Sequence, residues 1–466
     1  MSGEATTSYG SSDTGLETQL IGALGVGARS RRARVSVTLL SPALALPGAF
    51  ARFSDQPACL FAGPGGQAEL AWGAVERLSG SSIADLPAVR KEAEALLSEV
   101  TLVGAEASAR TSRLYGGLAY AGAPRKDGPW RHFEALEFVW PRSVYRTDGQ
   151  RATLTVNARA SELGDDAQVH QLVRSVLGPL SAAPAPSCTL SEAPTAVTRR
   201  DLPDQLGWCA RVDAARQLLE TRALNKVVLA RQIELDLKPA PLPHRVLGRL
   251  MQHVEDSRVF AIRRGPATFL GASPERLVVR AGSEIITEAL AGSIQAASPG
   301  AGTELQQNDK EQREHQWVVR ELIQRLATLG AFADPPAEPA IRRLRHVLHL
   351  HTPLQARLQN APHVLELVAA LHPTPAVGGT PPAAAERFIL EQELAERGWY
   401  AGPVGWFDAN GDGEFLVAIR SGLIEGSLAR VFAGAGLVIG SEPMLEWSET
   451  ELKLTSFLEA LGLAVD

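Results

Sequence analysis

The stretch FLVAIRSGLIEGSLARVFAGAGLVIGSEPMLEWSETELKLTSFLEAL (415–461) carries the clearest structural signal in the chain. Its first two segments, 415–424 and 430–439, are rich in β-branched and other apolar residues, which predicts two strands. From about 446 to 461, apolar residues recur at helical spacing. The C-terminal part of the chain is therefore predicted to contain a strand, a second strand and a helix, in that order.

Similar patterns extend from this stretch towards the N-terminus. Residues 204–224 are predicted to form an amphipathic helix, and 225–235 a buried strand with Val227, Val228 and Leu229 in sequence. A second long helix is predicted over about 303–329. Between about 35 and 175, short β-rich runs alternate with turn signals, which indicates further strands.

Composition suggests three parts of the chain. Residues 1–30 begin with a stretch rich in Ser, Thr and Gly and are predicted to form a mobile tail. Residues 179–197 are rich in Pro, Ala and Ser, which is typical of a linker or a long surface connection. We therefore predict an N-terminal part over 31–195 and a C-terminal part over 196–466.

The overall composition excludes several classes of protein. The chain has 466 residues, of which 45% are hydrophobic, and its formal net charge is −6. This is ordinary globular composition without the basic footprint of a nucleic-acid-binding protein. No apolar run approaches the roughly 20 residues that span a bilayer, and the N-terminus has no signal pattern. We expect a soluble cytoplasmic protein.

Two pairs of acidic residues lie on predicted helices. Glu311 and Glu314 are three residues apart, as are Glu446 and Glu449, so each pair shares one helical face. Two such faces meeting across a cleft would form a magnesium site, although each pair alone is typical of a solvated face. Lys226 begins a strongly apolar strand, where it lies either at an exposed edge or in a desolvated catalytic site.

The segment DANGDGE (408–414) resembles the beginning of a calcium-binding loop. The twelfth position of that loop should be a bidentate Glu, but here it is Ile419. Strand-like segments flank DANGDGE on both sides, so the sequence favours a hairpin turn.

Eight segments, taken in order, resemble the chorismate-utilising enzyme family, which includes isochorismate synthases, salicylate synthases and the synthase components for anthranilate and aminodeoxychorismate. The segments are KVVLAR (226–231), FLGASPERL (269–277), ALAGS (289–293), KEQREHQWVV (310–319), HLHTPL (349–354), LHPTPAVGG (371–379), WYAGPVGWFDANGDGEFLVAIRS (399–421) and AGAGLVIGSEPMLEWSETELK (433–453). The resemblance implies an α/β (α+β) fold: a single large domain of two stacked antiparallel β-sheets flanked by helices, with the active site in the C-terminal half.

The resemblance also assigns roles to individual residues. Glu314 and Glu449 match the magnesium ligands of the family, and Glu311 and Glu446 match their supporting acids. The remaining matches are positions of the substrate pocket, namely Gly292, Ser293, His349, Thr374, Tyr400, Arg420, Gly434, Gly436 and Lys453.

Two positions distinguish the reactions of the family. Members that use ammonia resemble one another in having Gln where this chain has Lys226, and aminodeoxychorismate-type members often carry a nucleophilic Lys where it has Ala291. The combination here resembles the water-using branch. Lys226 would act as general base for the addition of water, and Glu275 as general acid for the loss of hydroxyl. The two roles require pKa values shifted in opposite directions. Glu288 is the alternative proton donor.

The resemblance therefore implies an isochorismate synthase with Mg²⁺ as its cofactor and chorismate as its small-molecule substrate, most similar to the menaquinone-pathway type. Alternatives are a salicylate synthase, which would also eliminate pyruvate, and a non-catalytic chorismate-binding homologue. We expect no glutaminase subunit, no nucleic acid and no membrane as partners, and a monomer or weak homodimer. The loop around 295–305 is shorter than expected for the family, and this difference indicates a deletion at the surface.

Overall fold

The computed structural model describes residues 13–30, 32–104, 112–181, 194–252, 257–336, 338–358 and 362–464. Eleven α-helices lie within these ranges. They are α1 (Asp13–Ala28), α2 (Leu46–Arg52), α3 (Leu86–Ser98), α4 (Asp166–Ser181), α5 (Gln205–Glu220), α6 (Pro243–Gln252), α7 (Ala301–Gln307), α8 (Asp309–Thr328), α9 (Val364–Leu371), α10 (Pro382–Gln392) and α11 (Pro443–Leu461).

The same ranges contain twenty-three β-strands. They are β1 (Arg34–Leu40), β2 (Ala58–Ala62), β3 (Gln67–Trp72), β4 (Glu76–Gly80), β5 (Val100–Val103), β6 (Arg113–Leu118), β7 (Leu136–Trp140), β8 (Ser143–Asp148), β9 (Ala152–Arg159), β10 (Thr195–Leu202), β11 (Lys226–Lys238), β12 (Arg258–Arg264), β13 (Ala267–Ser273), β14 (Arg276–Ala281), β15 (Glu284–Gln295), β16 (Ala331–Ala333), β17 (Ala340–Arg343), β18 (Val347–Leu358), β19 (Gly379–Thr380), β20 (Pro403–Asp408), β21 (Gly413–Val417), β22 (Ser421–Glu425) and β23 (Leu428–Leu437).

The strands form two large sheets. The first has the order β10-β11-β23-β22-β13-β12-β2-β3-β8-β9-β1-β5, with β19 paired to β11. The second has the order β16-β18-β15-β14-β21-β20-β6-β7-β4, with β17 paired to β18. All of these neighbours are antiparallel except β1 and β5, which are parallel. The expected fold of two antiparallel sheets flanked by helices is confirmed, with this one parallel pair as its departure.

Two apolar cores hold the layers together. One contains side chains from both sheets, such as Phe269 and Phe432 of the first and Phe138 and Phe415 of the second. The other lies where α1, α2, α4, α6 and α11 cover the outer face of the first sheet. Each fully buried large apolar side chain stabilises the fold by roughly 1.5–3 kcal/mol. No helix in the described part of the chain is both long and apolar enough to cross a bilayer.

The helix predicted over 303–329 is two helices. α7 ends at Gln307 and α8 begins at Asp309, with Asn308 between them. The Asn308 side chain accepts hydrogen bonds from the backbone N–H groups of Lys310 and Glu311, at 3.0 and 3.2 Å. A side chain that caps α8 in this way competes with a continuous helix, which apolar spacing alone does not reveal.

The single strand predicted over 415–424 is also wrong. β21 belongs to the second sheet and β22 to the first, and the chain crosses between the sheets through residues 418–420. Arg420 has a φ of 54° at this crossing, a left-handed conformation that is rare for a residue with a side chain. The crossing places Arg420 at the junction of the two sheets.

The hairpin turn predicted at DANGDGE is confirmed, because β20 and β21 pair on either side of it. The Asp408 carboxylate accepts hydrogen bonds from the backbone of Asn410 and Asp412. The Asp412 carboxylate in turn binds the Arg280 guanidinium at 2.7 Å and the backbone N–H of Gly282. These carboxylates therefore stabilise the turn.

Part of the predicted mobile tail is a packed helix. α1 covers Asp13–Ala28, and Leu20 and Leu24 are fully buried against the first sheet, so the prediction is wrong for this segment; residues 1–12 lie outside the described residues. Most of the predicted linker, 182–193, also lies outside them. The boundary at 195 remains a prediction, and each sheet contains strands from both sides of it.

Candidate active site

One pocket lies where β11, β15, β18 and β23 meet α8 and α11. Its free volume is about 60 Å³. Ten of the residues assigned from the sequence line it, namely Glu275, Gly292, Ser293, Glu314, His349, Tyr400, Arg420, Gly434, Gly436 and Lys453. The other five are not in its wall. Four of them, Lys226, Thr374, Glu311 and Glu449, contact residues that are, and Glu446 is joined to this group through Lys310.

A larger cavity of about 480 Å³ adjoins this pocket on the other side of Arg420. Its lining includes Arg249, Arg345, His346 and Glu459, but none of the acid pairs and neither candidate proton-transfer residue. Although it is larger, this cavity lacks the chemistry of the smaller one. The smaller pocket is therefore the candidate active site.

Lys226 is the first residue of β11, and its side chain is fully buried. Its Nζ lies 3.1 Å from Oε1 of Glu314, yet no hydrogen bond of suitable geometry joins it to the described residues. The contact is therefore an ion pair. Of the two positions considered for this lysine, the exposed strand edge is excluded and the buried site is confirmed.

The four acidic residues converge from α8 and α11. Glu311, Glu314 and Glu446 are buried, and Glu449 is partly buried. The Nζ of Lys310 lies 3.1 Å from Glu311 Oε1 and 2.8 Å from Glu446 Oε1. Lys310 thus contacts an acid of each pair, so the acidic faces of α8 and α11 lie next to each other.

Mutual repulsion and burial perturb these carboxyl groups. Burial and then the Glu449 charge raise the pKa of Glu446 to about 7, and burial and Glu314 raise the pKa of Glu311. Burial would also raise the pKa of Glu449, but Lys453 and Lys310 lower it overall. A carboxyl group with a pKa of about 7 is partly protonated at neutral pH, so the four acidic residues do not all carry a full negative charge in this arrangement.

The donor set suits a hard divalent cation. Neither oxygen of Glu446 has a hydrogen bond of suitable geometry in the described part of the chain. Within the same residues no group of three or more acidic, His or Cys side chains is arranged so that it could hold a metal ion by itself. Magnesium is commonly held by only one or two carboxylates, together with water and substrate oxygens. The residues therefore fit a magnesium ion.

Glu275 follows β13 and is 2% exposed. Burial and then the negative charge of Glu288 raise its pKa to about 8, against the lowering influence of Lys226. Thr374 donates a hydrogen bond of 3.4 Å to its Oε1. A carboxyl group with this pKa is protonated at neutral pH and can donate a proton into the pocket.

Arg420 is held by His349. A guanidinium N–H of Arg420 donates to Nε2 of His349 at 2.8 Å, and Nδ1 of His349 lies 3.1 Å from the carbonyl oxygen of Gly292 and 3.1 Å from Oγ of Ser293. Burial and Arg420 hold the pKa of His349 well below its usual value, so the ring is neutral, with its proton on Nδ1. Burial lowers the pKa of Arg420 to about 10, and in the described part of the chain Arg420 forms no ion pair. It is suited to bind an anion.

Lys453 and two glycines complete the wall. Lys453 on α11 donates to the carbonyl oxygen of Gly434 at 2.9 Å and contacts Glu449. A Cβ at Gly436 would overlap Oε1 of Glu314 and lie 3.2 Å from Cε of Lys226. Only glycine therefore lets β23 pass this close to the lysine and carboxylate.

Sequence reasoning did not assign three residues of this region. Lys310 lies among the four acidic residues, Arg342 binds Glu288 at 3.1 Å, and Thr352 lies 2.7 Å from Nε2 of His315. The position of Lys310 directly before Glu311 was the only available signal. Arg342 and Thr352 are brought to the site by β17 and β18, which the sequence did not delimit.

Comparisons with known proteins identify the family of the chain. The family model described as "Chorismate binding enzyme" matches residues 28–462. Isochorismate synthase MenF of Bacillus subtilis (strain 168) is 36% identical over 358 residues, which are 75% of this chain and 74% of that protein. The salicylate biosynthesis isochorismate synthase of Pseudomonas aeruginosa is 36% identical over 415 residues, 87% of this chain and 85% of that protein.

Among solved structures, MenF, the menaquinone-specific isochorismate synthase from Escherichia coli, has a TM-score of 0.77 and 26% identity. The match covers 95% of this chain and 99% of that chain. The fold of two large sheets flanked by helices is shared with this structure. The chain belongs to the chorismate binding enzyme family, as its eight sequence segments indicated.

Proposed function

We propose that the chain is a magnesium-dependent isochorismate synthase. The observation that carries the proposal is the pairing of a buried lysine, Lys226, with a protonated buried carboxyl group, Glu275, beside one pocket. The pocket also presents Arg420, which has no carboxylate partner in the described residues. Isochorismate synthases among the relatives, at 36% identity over most of the chain, support the same reaction.

In the proposed reaction, the uncharged amine of Lys226 removes a proton from a water molecule, and the water oxygen bonds to C2 of chorismate. The ring double bonds shift, and the bond from C4 to its hydroxyl breaks. Glu275 gives its proton to the departing hydroxyl, which leaves as water. One water enters and one leaves, so the product is an isomer of the substrate.

Substrate orientation comes from charges and close backbone approach. Arg420 binds a substrate carboxylate, and Tyr400 and the backbone at Gly434 and Gly436 border the same position. Glu314 and Glu449 would hold Mg²⁺, with Glu311 and Glu446 supporting them. When bound by these residues, Mg²⁺ would offset the charge of the ring carboxylate.

The first test is incubation of the purified protein with chorismate, with and without Mg²⁺, followed by chromatography of the products. We expect isochorismate that disappears with a chelator, and its loss in Lys226→Ala. Lys238→Ala is the matched control, because Lys238 is the exposed lysine at the other end of β11. Salicylate and pyruvate would instead indicate a salicylate synthase, and anthranilate formed on addition of ammonia would contradict the role of Lys226.

No turnover by folded protein with Mg²⁺ present would favour a chorismate-binding homologue without activity. The single small-molecule substrate, the absence of a glutaminase subunit and of nucleic-acid partners, the monomeric or weakly dimeric state and the cytoplasmic location remain predictions.

A further inference from the structure

Glu288 lies in the middle of β15 and is 2% exposed. Its Oε1 accepts a hydrogen bond of 2.8 Å from the backbone N–H of Arg276. Its Oε2 accepts one of 2.9 Å from Nε2 of His351 and lies 3.1 Å from the Arg342 guanidinium. Glu288 does not line the candidate active site, although Pro274 and Glu275 do.

Arg342 also holds the other side of Glu275. Its second guanidinium nitrogen donates a hydrogen bond of 2.7 Å to the carbonyl oxygen of Pro274. Glu288 and Arg342 therefore bind each other, and each binds the backbone of one residue next to Glu275. This arrangement fixes the turn 274–276 from both sides.

The same arrangement places a negative charge near Glu275. Burial would raise the pKa of Glu288, but the hydrogen bond from His351 and the charge of Arg342 lower it to about 2, so Glu288 is ionised. Other groups that act on Glu275 are Lys226 from β11, Arg342 from β17 and the hydroxyl of Thr374. Lys226 and Arg342 are basic and Thr374 is uncharged, so Glu288 is the acidic group of this set.

We propose that Glu288 is a positioning residue, which with Arg342 fixes the turn that carries Glu275 and by its charge keeps the Glu275 carboxyl group protonated until it donates its proton. This inference rests on the proposed function, in which Glu275 is the proton donor. It also gives different roles to Glu275 and Glu288, which the sequence left as alternative proton donors. Glu288 is not suited to donate the proton, because it is ionised and its two carboxylate oxygens are bound by Arg276, His351 and Arg342.

The test is the pH dependence of kcat in two variants. Glu288→Gln removes the negative charge, so we expect the alkaline limb of the profile to move down by about one pH unit. From a limb near pH 8, this gives about a fivefold loss at pH 8 and little change at pH 6. Arg342→Gln removes a positive charge that lowers the pKa of Glu275, so its alkaline limb moves in the opposite direction.

Glu284→Gln is the matched control, since Glu284 is the exposed glutamate at the start of β15 and pairs with Arg357. An equal loss at every pH, or shifts of the two variants in the same direction, would show a merely structural role and overturn the proposal. Complete loss of activity at every pH in folded Glu288→Gln would also overturn the proposal, because a positioning residue should shift the alkaline limb and leave activity at lower pH.

A second measurement does not depend on turnover. The titration of Glu275 can be followed by NMR of protein with ¹³C-labelled glutamate, and assigned by its absence in Glu275→Gln. We expect a midpoint near pH 8 in the unchanged protein and a lower one in Glu288→Gln. If these midpoints are found while no isochorismate forms, the proposed function fails and the effect of Glu288 stands; equal midpoints overturn the inference even if the enzyme is active.

Discussion

Lys226 and Glu314 form one buried ion pair, with 3.1 Å between Nζ and Oε1. The proposed base and a proposed magnesium ligand are therefore directly coupled. A cation bound at Glu314 would compete with Lys226 for the same carboxylate, so binding of the proposed metal ion would change the surroundings of the proposed base.

Glu314→Gln is expected to weaken Mg²⁺ binding by more than about 10-fold, since an amide is a poorer ligand than a carboxylate. The affinity can be measured by calorimetric titration of the protein with Mg²⁺ and compared with the Mg²⁺ dependence of activity. Glu321→Gln is the control, because Glu321 lies on the same helix and pairs with Arg325 away from the pocket. Unchanged affinity in Glu314→Gln would remove Glu314 from the metal site.

Arg420→Lys is expected to lower kcat/KM by about 10- to 100-fold, because hydrogen bonds to charged groups contribute roughly 1.5–3 kcal/mol and the lysine lacks the planar fork. Steady-state kinetics against chorismate concentration measure the change. Arg430→Lys is the control, since Arg430 pairs with Glu234 elsewhere on β23. An effect no larger than that of the control would mean that Arg420 does not bind the substrate.

Gly436→Ala is expected to abolish activity with little loss of thermal stability, because its Cβ would overlap Glu314 Oε1 and crowd Lys226. To make room for this Cβ, the Glu314 carboxylate and the Lys226 side chain would have to leave the positions that the proposed reaction uses. Activity and the thermal unfolding midpoint are measured on the same preparation, with Gly48→Ala as the control at a position where a Cβ meets nothing within 4 Å. Retained activity would show that the carboxylate position is not required.

The sequence predicted those parts of the site that depend on residues close together in the chain, and it predicted contacts between distant residues less well. Spacing within one helix placed Glu311 with Glu314 and Glu446 with Glu449, because helical geometry is local. That the two pairs face each other was implied by the family resemblance, and it depends on contacts between segments distant in sequence, in which α8 packs on β15 and α11 on β23. Lys310 escaped notice for the same reason, since its partner Glu446 is distant in sequence.

The fold shows the same difference between features set by local sequence and features set by distant contacts. Apolar runs identified β11 and β23 and their neighbours well, because buried strands carry continuous apolar residues. The break between β21 and β22 was missed, since Ala418 and Ile419 continue the apolar run of β21 and only Arg420 interrupts it. α1 was taken for a tail because its first residues resemble the stretch rich in Ser, Thr and Gly before it, whereas Leu20 and Leu24 are buried by contacts with distant segments.

Arg231→Met is expected to destabilise the fold by about 2–4 kcal/mol. The Arg231 guanidinium is buried beneath the Trp447 ring, donates to Thr450 and pairs with Asp201 at 2.7 Å and with Glu451. It thereby ties α11, which carries Glu446 and Glu449, to β11. The midpoint of thermal unfolding measures the loss, against Arg216→Met as a control that breaks only an exposed pair with Asp213. Equal midpoints would contradict this role.

Glu275→Gln is expected to inactivate the enzyme and, at pH 8, to stabilise it. The pKa of Glu275 is about 8 in the folded chain, against an ordinary value of 4.5, which the unfolded chain retains. Between these values the unfolded chain has released a proton that the folded chain still binds, so stability falls as pH rises from 4.5 to 8. Glutamine cannot ionise and removes this dependence.

The thermal unfolding midpoints of the unchanged protein and Glu275→Gln should therefore lie close together near pH 4 and separate as the pH approaches 8, with the variant higher. Glu284→Gln, at an exposed position, should show no such separation. A midpoint difference that is the same at both pH values would mean that Glu275 is not held protonated. If the separation is found, the group that donates the proton also destabilises the fold, because burying a carboxyl group beside Glu288 favours its protonated form.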